Sequence, residues 1–569
     1  MNSTPAAKAK PVFAQIVQIL TPELIVSLRQ GYSLTRLRHD ALAGITVAII
    51  ALPLAMALAI ASGATPQQGL VTGVIAGFLI SALGGSRYVV GGPTGAFVVV
   101  VFNVIQQHGY DGLVLATLLA GLMLITAGLA RLGSWIKYIP LPVITGFTAG
   151  IAVIIATSQI GELLGLDPHG VPGDFIGKVR VYVDRIDQLN MNALAVGCGT
   201  LALMVALRRW ATRLPGPLIA LIIASAIVFA LALPVPTSGS RFGDFQFALP
   251  APHWPALSFA RVADLFPSAF TIAFLAGVES LLCAVVADGM TGARHRSNTE
   301  LVAQGVANCA SALVGGLPAT GAIARTATNV RAGATTPVAG IVHSATLLLL
   351  ALVFAPFVRY LPISAAAAVL LVIAWNMSEV ERFRHLLTSP LGDRLVLLLT
   401  FTLTIAVDLT VAIEVGVVLA SILFMHRMAE AVRLQSHETL IQNDESDTAE
   451  ASRAGAEIRL HLPKGVEYLE LQGPFFFGVA NVFADVIGRI ESAPHACILV
   501  LRDVPLIDAS GVSALRDFAQ HCRRKGTRLM LAEVRPAVAE ALGRMGVLAL
   551  SGVDVYESAK AAIRDADAG

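Results

Sequence analysis

Gly73-Val74-Ile75-Ala76, then Ser81-Ala82-Leu83-Gly84-Gly85, then Pro93-Thr94-Gly95-Ala96 follow one another early in the chain. The same order returns as Gly305-Val306-Ala307-Asn308, Ser311-Ala312-Leu313-Val314-Gly315-Gly316 and Pro318-Ala319-Thr320-Gly321-Ala322. Gly and Ala are common here, but the shared succession of SAL, GG and a proline before TGA marks an internal repeat. Around both copies the sequence is a near-continuous series of apolar runs, from Ala41 to about Met428. Fourteen membrane segments are predicted, near 41–61, 69–83, 94–107, 112–130, 138–160, 193–207, 217–234, 264–287, 300–314, 320–331, 338–358, 363–376, 394–408 and 411–427. The copies fall on segments two and three of each set of seven. Seven is odd, so the halves enter the membrane with opposite polarity, an inverted repeat of the kind that builds secondary transporters.

Composition agrees. Of 569 residues 55% are hydrophobic and 14% charged, with a mean hydropathy of +0.73. A soluble domain carries about 25% charged residues, so this much apolar surface needs a non-aqueous solvent. The net charge of +2 and basic residues without interleaved aromatics give no support for a nucleic-acid partner. The five cysteines (Cys198, Cys283, Cys309, Cys497, Cys522) have no metal spacing and read as packing residues. The mixed, polar stretch before segment 1 is not expected to act as a signal peptide, and Val12 to Leu28 reads as a short interfacial helix. There is no GxxxxGK[ST], HExxH or GxSxG, so neither ATP-driven transport nor an enzyme is expected, and no metal or other cofactor.

Basic residues set the orientation. Alternate loops hold Arg87; Arg131 and Lys137; Arg208, Arg209 and Arg213; Arg294 and Arg296; and Arg382, Arg384 and Arg394. The intervening loops are nearly free of Lys and Arg or balance them with acids. The positive-inside rule then puts both termini in the cytoplasm, in a cytoplasmic membrane.

The prolines of the repeat interrupt apolar runs, because proline cannot continue a helix but starts one well. Helices beginning after Pro93 and Pro318 would expose free N–H groups and a positive dipole end within the membrane, an anion site. Arg325 is expected about one turn into the second of these helices; an intramembrane arginine is costly and marks function. Glu279, in the middle of segment 8, is its natural partner and can take up a proton or cation during a cycle. Asp288 and Glu300, beside Arg294 and Arg296, read as contacts on the loop face. Pro53 should kink segment 1 near the midplane.

From about Gln435 to Arg453 the chain turns polar and acidic, as a linker does. Beyond it, strands are predicted at Ile458–Leu462, Val466–Leu471, Cys497–Leu501 and Arg528–Ala532, with amphipathic helices at Val479–Ile490 and Gly511–Arg524. The domains are therefore read as a 1–40 N-terminal segment, a 41–430 membrane domain, a 431–455 linker and a 456–569 α/β domain.

The sequence resembles the SulP (SLC26) family of anion transporters over nearly its whole length. The resemblance rests on Asp40-Ala41-Leu42-Ala43-Gly44-Ile45-Thr46-Val47 through Leu52-Pro53-Leu54-Ala55-Met56-Ala57 and on Gly92-Pro93-Thr94. It rests also on the stretch from Asn298-Thr299-Glu300-Leu301 to Arg325-Thr326-Ala327-Thr328-Asn329. Glu279-Ser280-Leu281-Leu282-Cys283-Ala284 with Asp288-Gly289-Met290-Thr291-Gly292 is similar to the bacterial C4-dicarboxylate branch. The resemblance implies a seven-plus-seven inverted repeat with core and gate domains, and a homodimer. It implies that segments 3 and 10 supply the anion site, through Thr94, Gly95, Ala96 and Phe97 and through Ala324, Arg325 and Thr326. The C-terminal domain resembles a STAS domain through Leu506-Ile507-Asp508-Ala509-Ser510-Gly511-Val512. In that resemblance Ser510 is a phosphorylation site that could regulate a cytoplasmic protein partner, although a helix N-cap is its plainer reading. The expectation is proton-coupled uptake of a C4-dicarboxylate, with sulfate or bicarbonate and sodium as alternatives, or else an anion channel.

Overall fold

The computed structural model describes residues 21–134, 140–166, 172, 175–210, 215–243, 247–248, 250–407, 409–430, 432–436, 462–463, 465–477 and 494–568. The chain divides into two compact units, Met1–Val418 and Leu419–Gly569.

Helices occupy all fourteen predicted segments. Segments 1 and 2 are Leu34–Ala61 and Pro66–Leu83. Segments 3 and 4 run from the 3-10 turn Gly95–Phe97 through Val98–Leu129, parted by Gly109, whose φ of 70° breaks the helix. Segments 5 to 7 are Leu141–Leu163, Met191–Trp210 and Gly216–Ala230. Segments 8 to 11 are Phe259–Thr291, Ser297–Leu313, Ile323–Arg331 and Val338–Val358. Segments 12 to 14 are Ile363–Met377, Leu391–Ala406 and Leu409–Glu430. Among the described residues, nine helices are long and apolar enough to cross a membrane.

Local chemistry sets the ends. Segment 2 opens with Pro66 and a capping box, in which the Thr65 hydroxyl accepts from Gln68 N while the Gln68 side chain accepts from Thr65 N. Segment 8 opens on Ser258, which accepts from Arg261 N, and closes on left-handed Gly292 at φ 72°. Segment 1 runs as one continuous helix with Pro53 inside it.

Small residues let the helices approach closely. A Cβ on Gly121 of segment 4 would lie 2.7 Å from the Gly305 carbonyl of segment 9. One on Gly44 of segment 1 would lie 2.9 Å from His343 N of segment 11. Gly146 and Gly150 of segment 5 meet Thr400 and Thr404 of segment 13 in the same way. Segments 1–4 with 8–11 thus pack as one group, and segments 5 and 13 belong to another. Of the interfacial stretch from Val12 to Leu28, the helix Glu23–Arg29 covers the end and the rest lies outside the described residues.

The second unit carries a five-stranded sheet ordered Arg433–Ser436, Val466–Gln472, Ala496–Asp503, Arg528–Ala532 and Val553–Tyr556. The first pairing is antiparallel and the other three parallel. Helices Ala509–Arg524 and Pro536–Arg544 join one apolar core on the sheet, and Ala559–Ala568 closes another. The strand Arg433–Ser436 overlaps the start of the expected linker: Gln435 and Ser436 pair with Glu470 and Leu469. The remaining linker, the helix expected at Val479–Ile490 and nearly all of the strand at Ile458–Leu462 lie outside the described residues. Cys283, Cys497 and Cys522 are buried as expected of packing residues, whereas Cys198 is exposed.

Candidate functional site

The chain runs extended between segments 2 and 3, and again between segments 9 and 10. These stretches meet as two-residue strands, Gly91–Gly92 and Thr320–Gly321, paired antiparallel as Gly91 with Gly321 and Gly92 with Thr320. Ala322 N donates to Val90 O at 3.1 Å. Cross-pairing satisfies backbone that neither helix serves, which is how irregular chain persists at such depth. Pro93 and Pro318 lie on or beside these extended stretches. The helices start later, at Gly95 and Ile323, so Pro318 precedes the strand instead of opening the helix.

Side chains hold the second approach in position. Asn308 accepts from Ala319 N and donates to Ala319 O, both at 2.8 Å. Thr72 accepts from Leu317 N at 2.6 Å, and Thr320 donates to Ala276 O at 2.9 Å. Sequence reading missed Asn308 and Thr72; polar residues within apolar runs were the available signal.

Each helix start leaves first-turn N–H groups without an intrahelical acceptor, facing the end where the dipole is positive. Arg325 is the third residue of its helix, within the first turn, and only 5% exposed. Its guanidinium reaches to the other repeat, donating to Gly91 O at 3.0 Å and also to Pro93 O. Gly92, at φ 143°, leaves the space this needs, because a Cβ there would meet the guanidinium.

Glu279 is not ion-paired with Arg325, contrary to the expected partnership. It accepts from the Thr94 hydroxyl at 2.9 Å. Arg325 has instead been drawn to the strand carbonyls, which compete for its donors. The structure therefore brings Thr94, Glu279 and Arg325 around the crossing point. Gly95 stands close to the other helix group, and a Cβ there would meet Met377 of segment 12 and Ile155 of segment 5. Ala96 and Phe97 are buried beyond it, and Ala324 is exposed. The Thr326 hydroxyl accepts from Val90 N and from the Cys283 thiol, both at 3.0 Å, so it fastens the strand pair.

Asp288 keeps the loop-face reading and Glu300 departs from it. Asp288 bonds His295 at 2.7 Å, not Arg294 or Arg296. Glu300 is fully buried, accepting from Gly85 N at 2.9 Å, Gln304 Nε2 at 3.0 Å and Ser280 Oγ at 3.1 Å. A loop acid became a core acid because the turn after segment 2 closes over it.

Asp40, missed as a structural anchor, is buried at the start of segment 1 and accepts from the N–H and hydroxyl groups of both Thr335 and Thr336 and from the Tyr32 hydroxyl. In the second unit, Ser510 is exposed and is not the cap; Asp508 is, accepting from Gly511 N at 2.8 Å. Asp508 takes that role because it, not Ser510, stands where the helix begins.

The sulfate permease family model matches residues 37–400, and the STAS domain model matches residues 457–562. The chain is 39% identical over 521 residues to a putative sulfate transporter, YvdB, of Bacillus subtilis, covering 91% of this chain and 95% of that one. It is 30% identical over 496 residues to the bicarbonate transporter BicA of a Picosynechococcus species, covering 84% and 85%. Its fold matches the murine Solute Carrier 26 family member A9 anion transporter, with a TM-score of 0.84 at 18% identity, over 100% of this chain and 97% of that one.

Proposed function

Because this chain belongs to the sulfate permease (SulP/SLC26) family of anion transporters and carries a C-terminal STAS domain, we propose that it is a proton-coupled symporter of a small oxyanion. The carrying observation is the hydrogen bond from Thr94 to Glu279 beside the two helix starts. The anion would rest against the first-turn N–H groups after Thr94 and Ala322, with the charge of Arg325 behind them. Gly95, Ala96, Phe97, Ala324 and Thr326 would shape the two starts. Glu279, the acid nearest that seat, would take up the proton, and Thr94 would report its state to the anion. Sodium at the same acid is the alternative.

Sulfate is the first substrate reading, supported by the name given to the Bacillus subtilis relative. A C4-dicarboxylate is the second, supported by the wording from Glu279 to Ala284. Bicarbonate follows from the cyanobacterial relative. The arginine-bearing loops argue for both termini in the cytoplasm and residence in the cytoplasmic membrane. A homodimer and a cytoplasmic partner at the exposed Ser510 complete the reading, with phosphate there placed on a helix N-terminus.

The test is uptake of labelled sulfate, succinate and bicarbonate by proteoliposomes with and without an imposed proton gradient. Gradient-driven accumulation of at least one, lost in Glu279→Gln, is expected. Uptake of none, or accumulation untouched by the substitution, would contradict the proposal.

A further inference from the structure

Glu300 has no role in the function proposed above, yet its setting is unusual. It lies in the first turn of segment 9 and is fully buried. Its three donors, Gly85 N, Gln304 Nε2 and Ser280 Oγ, are all neutral. Among the described residues no basic side chain forms an ion pair with it. Beside it, Gln304 Oε1 is also buried and has no donor. An acid buried without a counter-charge is costly as the bare anion and inexpensive as the neutral acid. Glu300 is therefore an acid held by neutral donors alone, in a closed space that favours its protonated form.

The neighbours suit that change. Ser280 Oγ is both donor and acceptor, so by rotating it can donate to the carboxylate or accept from the acid. Gly85 N stays on Oε2 in either state. Ser280 directly follows Glu279, and the Cys283 thiol one turn on lies within electrostatic range of both acids. On the loop side, His295 lies within electrostatic range of Glu300. The His295 ring bonds Asp288 at 2.7 Å and Ser297 Oγ at 3.0 Å, and its side chain is 10% exposed. Arg296 is turned away, toward Glu23 and the carbonyl of Thr21. The charged and titratable groups around Glu300 are therefore Glu279, Cys283 and Asp288 from segment 8, His295 and Arg296 from the loop, and Glu23 beyond.

We propose that Glu300 is a second proton-binding site of the transport core, with Ser280 and Gln304 as its hydrogen-bond partners. A proton taken from water converts the carboxylate to the acid; Ser280 Oγ then accepts from the new O–H. Deprotonation reverses the step. The inference rests on the symport reading only for its transport consequence.

The test has two arms on the full-length protein. Infrared difference spectra across a pH titration should contain a protonated-carboxyl C=O stretch that is lost in Glu300→Gln and persists in Glu279→Gln. That band should shift in Ser280→Ala, which keeps the acid but removes its switching partner. In proteoliposomes, Glu300→Gln should displace the pH profile of anion uptake. A spectrum unchanged by Glu300→Gln overturns the proposal, as does a wild-type pH profile in that variant. If wild-type uptake moves no protons, the symport reading fails and the infrared band alone decides on Glu300. Because glutamine keeps the shape and the contacts to Gly85 and Ser280, the variant should fold.

Discussion

The Thr94 hydroxyl donates to Glu279 Oε2 at 2.9 Å, joining the helix start of segment 3 in one repeat to segment 8 of the other. Removing the donor leaves the acid with one polar partner fewer in a half-buried site, so Thr94→Val should change the pH at which uptake is half-maximal. Thr94→Ser, which keeps the hydroxyl, should restore the wild-type profile. The check is initial uptake rate across pH in the three proteins; identical profiles would mean the bond carries nothing.

Gly92 should not accept a side chain. Its φ of 143° costs about 1–3 kcal/mol for an L-residue, and a Cβ there meets the Arg325 guanidinium. Gly92→Ala should fold less stably and bind anion more weakly, because Arg325 must leave the Gly91 and Pro93 carbonyls. Thermal unfolding in detergent and anion titration would measure the two effects separately.

Asp40 joins the start of segment 1 to the start of segment 11, accepting from both N–H and both hydroxyl groups of Thr335 and Thr336. Asp40→Ala strands those buried donors and should cost at least about 3 kcal/mol, since a bond to a charged group contributes ~1.5–3. Asp40→Asn should lose less. The melting temperature of the purified protein gives the comparison.

In the C-terminal domain, Glu533 accepts from Arg502 and from Ala559 N at 3.0 Å. The Arg502 hydrogen bond holds its carboxyl below the ordinary value of 4.5. A folded-state value below the unfolded one contributes stability above about pH 4.5 that is lost as pH falls through the folded value. Acid unfolding of the domain should therefore steepen below that pH. Glu533→Gln should be less stable at neutral pH, with a flatter acid dependence, as followed by limited proteolysis.

The repeat, the fourteen segments and the paired breaks were legible because each leaves a periodic or compositional mark: apolar length, proline, and small residues in fixed order. Arg325 and Glu279 stood out because ionisable residues are rare at that depth. What escaped depended on contacts between residues far apart in sequence. Nothing near Arg325 says that Gly91 and Pro93 will take its donors, and nothing near Glu300 says that Gly85 will close over it. Asp508 displaced Ser510 as the cap by a shift of two residues, finer than pattern reading resolves. The short strands Arg433–Ser436 and Val553–Tyr556 lacked enough alternation to stand out.

The central claim is that an anion is held where the two helices begin, with Arg325 supplying the fixed positive charge. Calorimetric titration of the purified protein with sulfate and with succinate tests it most directly, using wild type, Arg325→Ala and Arg325→Lys, each shown to be folded by its thermal transition. One amine cannot bridge the Gly91 and Pro93 carbonyls as a guanidinium does, so lysine should rescue little. The account predicts that wild type binds one of the anions and that both variants bind it at least about tenfold more weakly, a loss of ~1.4 kcal/mol. Wild-type affinity in folded Arg325→Ala would contradict it.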